Sequence, residues 1–471
     1  MGPSTLLPCP YCVRLISPDG KPCTLCVEAA KRARIVEPTF RLKPGLYLIG
    51  SLERGLTVYK QQIRAHNLVW SLWELNRRKE INVDHVAIVG GGISGLTAAA
   101  CFLSRFDQNI KVTLFEELWD LCPLQQGSDN RWLHPKIYDW PADGSRAPGA
   151  SLPVLNWSEG RASDVARTIV REFSRFSEAF DKSEERLTIY LGLKHFRIDA
   201  TKNKIEWVAS KTKRAGAFHP IKDKLGKNEV FNTIVLATGF GAEKKEAQCR
   251  THSYWRNEQL SQPRLDGKHQ IFLVSGFGDG ALIDLCRLTI EQYRQDTILY
   301  ELFSNDLEKV ETHLATERLK LDQDANLFEF FNQLREVLEP AREELLKRIR
   351  KDTSVVLHIA GKHGKVKSIS DIFGPSSSFQ NRMMAFLLYS CGAFSPSFDS
   401  LETALKKSRI PKANVLCRYG TDTLSHLSLM FMEMDQVVAR LTQLKENQEQ
   451  KPELFWEPGT FRQPPFKDNL K

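Results

Sequence analysis

At 471 residues the chain has room for two or three domains of roughly 150 residues each, which excludes a small scaffold held by staples. Hydrophobic residues make up 42% and charged residues 26%, proportions that exclude collagen, wholesale disorder and a coiled-coil rod. Lys plus Arg number 66 against 57 for Asp plus Glu, a formal +9 that permits an anionic partner but gives no reason to expect nucleic acid. No apolar run approaches bilayer length, and the first eight residues carry neither a basic n-region nor an h-region. A protein of the reducing cytoplasm with no membrane partner is expected, its cysteines serving as thiols or metal ligands and not as a disulfide framework.

In chain order, residues 1–40 stand apart. They carry Cys9-Pro10-Tyr11-Cys12 and Cys23-Thr24-Leu25-Cys26, a C-x2-C-x10-C-x2-C pattern. Two knuckles that each offer two thiolates suit a closed tetrahedral structural zinc site, with free thiols or an iron site as alternatives. Such a module would dock a protein partner, with Lys31, Arg32 and Arg34 as its contact surface. Residues 41–83 read as a helical arm, with a short β-like stretch at 46–49 and an apolar stripe of Ile63, Leu68, Val69, Leu72 and Leu75. Residues 86–116 read as strand, Gly-rich turn, helix and strand, a βαβ unit.

A Trp-, Pro- and His-rich loop over 119–157 leads into an amphipathic helix over 162–180, then strands at 187–191, 204–209 and 233–237. The lysine-rich stretch 202–227 reads as a solvated hairpin. A second strand, Gly turn, helix and strand unit is expected over 270–302. It is followed by charged helices over 307–350 interrupted at Pro340, a strand at 355–359, a helix over 423–444 and a Pro- and aromatic-containing tail. The domain reading is 1–40, 41–83, 84–265, 266–420 and 421–471. The fold class is α/β: a Rossmann-like domain, a second nucleotide-binding subdomain, helical C-terminal additions and the N-terminal cysteine module.

The first turn carries most of the functional information. Gly90, Gly92 and Gly95 form G-x-G-x-x-G directly after a strand and at the opening of a helix. Gly90 allows the tight turn, Gly92 lets the backbone approach a pyrophosphate, and Gly95 lets the helix pack on the sheet. Phosphates would lie at the helix N-terminus beside Ser94. Glu116 closes the next strand, placed to accept the hydroxyls of an adenosine ribose.

With these residues the chain resembles the flavoproteins that carry two dinucleotide-binding domains, the glutathione-reductase-like and flavin-monooxygenase-like enzymes. Thr233-Ile234-Val235-Leu236-Ala237-Thr238-Gly239 resembles the strand that returns to the FAD domain in that superfamily, and the resemblance spans residues 84 to about 302. It implies FAD held by Gly90, Gly92, Ser94, Gly95, Glu116, Thr238 and Gly239. It further implies NAD(P) at a second turn formed by Gly276, Gly278 and Ala281, with Glu301 repeating the ribose acid 25 residues on. Asp279 is awkward there, since a carboxylate facing a pyrophosphate repels it unless it points away; alternatively it receives a hydrogen bond from the flavin ribityl chain. The family's redox cysteine pair is missing, because only Cys122 follows the first unit; the other scattered cysteines, Cys417 among them, read as buried small hydrophobes.

In the loop, Arg131 could offset pyrophosphate or reduced-flavin charge and His134 could shuttle a proton, though packing explains both equally well. The expected function is an FAD-dependent, NAD(P)H-linked oxidoreductase acting on a small-molecule acceptor or dioxygen. The alternative is a non-catalytic dinucleotide sensor or adaptor docking through the zinc module.

Overall fold

The computed structural model describes residues 7–12, 15–17, 21–49, 57–107, 109–181, 185–212, 226–239, 253–263, 265–322, 325–359, 368–375, 377–420, 423–446 and 454–465. Two parallel-rich sheets organise them. The larger has eight strands in the order Gly226–Val230, Lys204–Thr212, Leu187–Asp199, Lys111–Phe115, His85–Val89, Thr233–Leu236, Leu46–Leu48 and Arg41–Lys43. Five consecutive strands, from Leu187–Asp199 to Leu46–Leu48, are mutually parallel, and antiparallel strands finish both edges. Burial on both faces explains why the inner strands read as unbroken apolar runs. Val86 and Ile88 face a core shared with helices Val58–Asn76, Ile93–Arg105 and Ala162–Phe180. Ala87 and Val89 face the opposite core, which the C-terminal helix Asp435–Glu446 closes with Val437 and Leu441.

The smaller sheet is wholly parallel, in the order Ser395–Ser397, Thr353–His358, Gln270–Ser275 and Val415–Cys417. Helices Asp279–Thr289 and Phe379–Ser390 pack on it. In each sheet the strand that leads into a Gly turn is central, and the chain's next strand lies on one side while a much later one lies on the other. His85–Val89 stands between Lys111–Phe115 and Thr233–Leu236; Gln270–Ser275 stands between Thr353–His358 and Val415–Cys417. Such reversal points open a crevice at the carboxyl ends of the strands, where ligands bind α/β sheets.

Several sequence expectations need correction. The strands Arg41–Lys43 and Leu46–Leu48 belong to the main sheet and are not part of a separate arm, because Leu46–Leu48 pairs in parallel with Thr233–Leu236. The second unit does not close with a strand near 302, where Ile298–Phe303 is a helix; its second strand is Thr353–His358. Pro340 sits inside helix Arg335–Lys347, and the break falls earlier, at Leu334. Helices Thr423–Ser428 and Asp435–Glu446 replace the single one expected over 423–444. Cys417 is disulfide-bonded, its partner lying outside the described residues. Among the described residues no helix is long and apolar enough to cross a membrane.

The two units meet through a buried charge cluster. Asp284, on the helix after the second turn, is fully buried and bonds Arg131 at 2.8 Å, Arg287 at 3.0 Å and Arg418 at 2.8 Å. Burial alone pushes the Asp284 carboxyl up, but the guanidiniums of Arg131, Arg418 and Arg287 more than reverse this and hold it well below the usual range. Its contribution to stability is therefore present above the ordinary carboxylate pKa of about 3.9 and is lost only as the pH falls through the depressed native value. Asp284→Ala removes the carboxylate that three buried guanidiniums share and should cost about 3–5 kcal/mol in denaturant unfolding. A change within about 0.5 kcal/mol would mean the arginines find other partners at no penalty.

Candidate functional site

Around the first turn the backbone is packed as tightly as glycine permits. Gly90 has φ +114°, and a Cβ there would lie 2.4 Å from the Ala237 carbonyl oxygen. A Cβ on Gly95 would lie 1.9 Å from the Gly90 carbonyl oxygen, so the helix can approach the turn only without a side chain. Gly92 differs: its φ is −75°, and a Cβ would meet nothing within 4 Å. Two glycines are thus fixed by protein contacts, while the third borders open space beside the helix's first N–H groups, which no side chain caps.

Across the turn, Glu116 is buried, accepting from Gly91 N–H at 2.7 Å and Leu118 N–H at 2.8 Å. Burial pushes its pKa up, and the backbone hydrogen bonds oppose the shift. Thr238 follows Ala237, whose N–H bonds Val89 O at 2.8 Å, and its buried Oγ1 has no protein partner. Gly239 takes φ +63°. Ser94 lies in the helix's first turn, 6% exposed. Open space at Gly92, helix N–H groups without a side-chain cap and an orphaned hydroxyl just past the facing strand suit a dinucleotide.

The second turn repeats this backbone construction. A Cβ on Gly276, at φ +121°, would lie 2.4 Å from the Arg418 carbonyl oxygen, and one on Gly278 would again meet nothing within 4 Å. Gly90 N–H bonds Phe115 O at 2.7 Å, and Gly276 N–H bonds His358 O at 3.0 Å. Ala237 N–H bonds Val89 O at 2.8 Å, and Arg418 N–H bonds Ser275 O at 2.8 Å. Ala281 takes the place of Gly95 and is fully buried.

This register maps Glu116 onto Ile359, not onto Glu301. Glu301 lies in helix Ile298–Phe303, where its carboxylate bonds Thr297 and Arg348; its matching spacing does not place it at a strand end. Asp279 turns toward the N-terminus of helix Phe379–Ser390, accepting from Ser378 N–H at 2.8 Å, Asn381 Nδ2 at 2.6 Å and the Tyr138 hydroxyl. With its oxygens committed there, its charge is stabilised by hydrogen bonds from neutral protein donors.

Arg131 is fully buried at the junction, donating to Tyr254 O at 2.7 Å as well as to Asp284. His134 accepts from Lys136 N–H at 3.0 Å through Nδ1 and places Nε2 3.7 Å from Glu159, while burial lowers its pKa. These contacts tie both residues into the loop.

One polar chain escapes sequence reading. Ser275 Oγ lies 2.6 Å from His358 Nδ1 and 2.6 Å from Tyr419 Oη, and His358 Nε2 lies 2.9 Å from the Asp399 carbonyl. A carbonyl only accepts, so Nε2 carries the proton, and neutral Nδ1 accepts from Ser275. The available signal is a polar residue closing each apolar strand, Ser275 after Val274 and His358 after Leu357.

The thiols of Cys9, Cys12, Cys23 and Cys26 lie within 4.8 Å of one another, with Cys12 and Cys23 sulfurs 3.7 Å apart. Zn–S bonds of about 2.3 Å in a tetrahedron put sulfurs about 3.8 Å apart, so the set fits zinc. Arg77 and Arg78, just past helix Val58–Asn76, donate to Tyr11 O and Cys26 O. Lys31, Arg32 and Arg34 pair within the chain, with Glu28, Glu457 and Glu80. The cluster lies at the C-terminal end of that 19-residue helix, whose N-terminal end adjoins the first turn. A helix of this length spans about 28 Å, which separates the thiols from the crevice.

Residues 88–148 match the family model described as the NAD(P)-binding Rossmann-like domain. Among solved structures, the chain is similar to the S-allyl-L-cysteine S-oxygenase from Allium sativum, at 16% identity and TM-score 0.26, over 44% of this chain and 49% of the oxygenase. It is also similar to a NAD-dependent persulfide reductase from A. fulgidus, at 15% identity and TM-score 0.22, over 43% of this chain and 31% of the reductase. The matches thus span about half of the oxygenase and under a third of the reductase. No curated protein matches the chain.

The glycine contacts separate folding from binding. Gly95→Ala should destabilise the chain by about 3 kcal/mol or more or prevent its folding, since a backbone clash cannot be relieved by rotation. Gly92→Val should leave cofactor-free melting nearly unchanged and abolish dinucleotide binding. Equal melting losses in the two variants would contradict this division.

Proposed function

We propose that the protein is an oxidoreductase that holds FAD at the first turn and NAD(P)H at the second. The observation that carries this reading is the repeated construction: two sheet reversal points, each with one glycine locked by a carbonyl contact and a second bordering open space. The backbone at Gly92 and the N-terminus of helix Ile93–Arg105 would receive the pyrophosphate, Glu116 the ribose hydroxyls, and Thr238 a polar atom of the same ligand. Gly278 and the N-terminus of helix Asp279–Thr289 would receive the second pyrophosphate, with Asp279 held aside by Tyr138, Ser378 and Asn381. A bound flavin supplies two-electron chemistry that accepts hydride from reduced nicotinamide and passes it to a small-molecule acceptor or dioxygen. The chain would contribute orientation and a fixed backbone dipole at each phosphate. Cys9, Cys12, Cys23 and Cys26 would hold a closed zinc site that steadies the N-terminal module and takes no part in electron transfer.

The two turns are separable by experiment. Gly278→Val should retain bound FAD yet slow its anaerobic reduction by NAD(P)H roughly 100-fold or more, equivalent to about 2.7 kcal/mol in the barrier. Undiminished reduction in a folded Gly278→Val protein would remove nicotinamide from the second turn. Removing the metal with a chelator, or Cys9→Ser, should lower the melting temperature and leave the flavin spectrum unaltered. A spectral change on metal removal would place the cysteines in the redox path.

A further inference from the structure

Helix Val58–Asn76 carries an observation that the proposed cofactor sites do not yet use. Gln61 is 6% exposed, and neither its Nε2 nor its Oε1 has a hydrogen-bond partner. The adjacent Gln62 shows a satisfied amide in the same helix: Nε2 donates to Thr97 Oγ1 at 3.2 Å and Leu155 O at 3.0 Å, and Oε1 accepts from Trp157 Nε1 at 2.6 Å. A buried carboxamide with both ends idle is penalised in the empty protein and calls for a partner.

Neighbouring contacts place the helix turn that carries Gln61 at the edge of the sheet where the first crevice opens. Gln62 touches Thr97 near the start of helix Ile93–Arg105, and Trp73 carries the Arg105 guanidinium 3.4 Å over its ring near that helix's end. The two helices therefore run parallel, with both N-termini at the carboxyl edge of the sheet. Arg64, one turn after Gln61 on the same face, donates to Ile49 O at 2.7 Å, and Ile49 N–H bonds Leu236 O at 2.9 Å. Leu236 leads directly into Ala237 and Thr238, whose Oγ1 is the other orphan at this edge. The N-terminal turn of Val58–Asn76 thus brings Gln61 to the end of the sheet that holds Gly92 and Thr238.

We infer that Gln61 is a cofactor-binding residue of the first turn, recognising the ring of the flavin and not its phosphates; the inference rests on the proposed FAD site. The chemistry of the amide selects the partner. A phosphate offers only acceptors and would leave Oε1 idle, whereas a ring edge with N–H and C=O groups side by side satisfies both atoms at once. The flavin ring has such an edge, and the pyrophosphate and ribose of the cofactor are already provided for by Gly92 and Glu116.

The test uses the full chain stripped of flavin, with FAD and ADP as separate probes and Gln61→Leu as the variant. Gln61→Leu should bind FAD about tenfold to a hundredfold more weakly, the effect of losing one or two hydrogen bonds, and bind ADP as the parent does. Its cofactor-free melting temperature should be unchanged or higher, because an idle buried amide has been replaced by an apolar side chain of similar size. Gln61→Glu, keeping an acceptor but removing the donor, should fall between the two in FAD affinity. A Gln61→Leu protein with lowered cofactor-free stability and unchanged FAD affinity would assign Gln61 a structural role and overturn the inference. An equal loss of ADP and FAD affinity would overturn the assignment to the ring. A parent chain that binds neither probe would instead refute the FAD site itself, a result distinct from both.

Discussion

The approach of helix Ile93–Arg105 to its own preceding turn sets the geometry of the first unit. With only 1.9 Å between a Gly95 Cβ and the Gly90 carbonyl oxygen, and 2.4 Å between a Gly90 Cβ and the Ala237 carbonyl oxygen, three backbone segments meet with no side chain between them. That contact fixes the helix on the sheet and holds Thr233–Leu236 alongside His85–Val89. It also aims the helix N-terminus at the carboxyl edge of the strands, where Gly92 leaves room. The second unit reuses the constraint at Gly276 and Arg418, while Ala281 in the third position shows that its helix tolerates one extra carbon.

What joins the units is charge buried at their boundary. Arg131, Arg287 and Arg418 come from a loop, a helix and a strand end and converge on Asp284, so each carboxylate oxygen ties together segments remote in sequence. Asp279 does the same for Tyr138 and the start of helix Phe379–Ser390. Breaking one member leaves buried charge less fully compensated, which makes the junction specific as well as rigid. The 119–157 loop, rich in residues suited to catalysis, is in large part this joint: Arg131 and Tyr138 anchor it, and Trp140 donates to Glu311 at 2.7 Å.

The first unit was legible because its elements are contiguous. Strand, turn, helix and strand follow within 31 residues, so the spacing from Gly90 to Glu116 reports a true neighbour in space. The same arithmetic fails in the second unit, because the helices between Thr289 and Thr353 separate its first two strands and leave Glu301 in one of them. Helix Ala162–Phe180 was legible from its strongly one-sided apolar pattern, whereas Pro340 misled because a proline can be accommodated within a helix that tertiary packing holds. The cysteine module was legible from spacing alone. Gln61 was not, since a glutamine in a helix carries no local mark, and only three-dimensional packing shows that Gln62 is satisfied and Gln61 is not. Ile359 could be recognised as the counterpart of Glu116 only once the hydrogen bonds of the two turns were aligned.

The most direct test of the dinucleotide reading is the visible absorption spectrum of the purified protein, with the chromophore released and identified by chromatography. The account predicts a flavin spectrum and FAD as the released species, recoverable on reconstitution of the stripped chain. A colourless protein that added FAD cannot reconstitute would contradict it, leaving two Rossmann-like turns whose open glycines serve some other ligand.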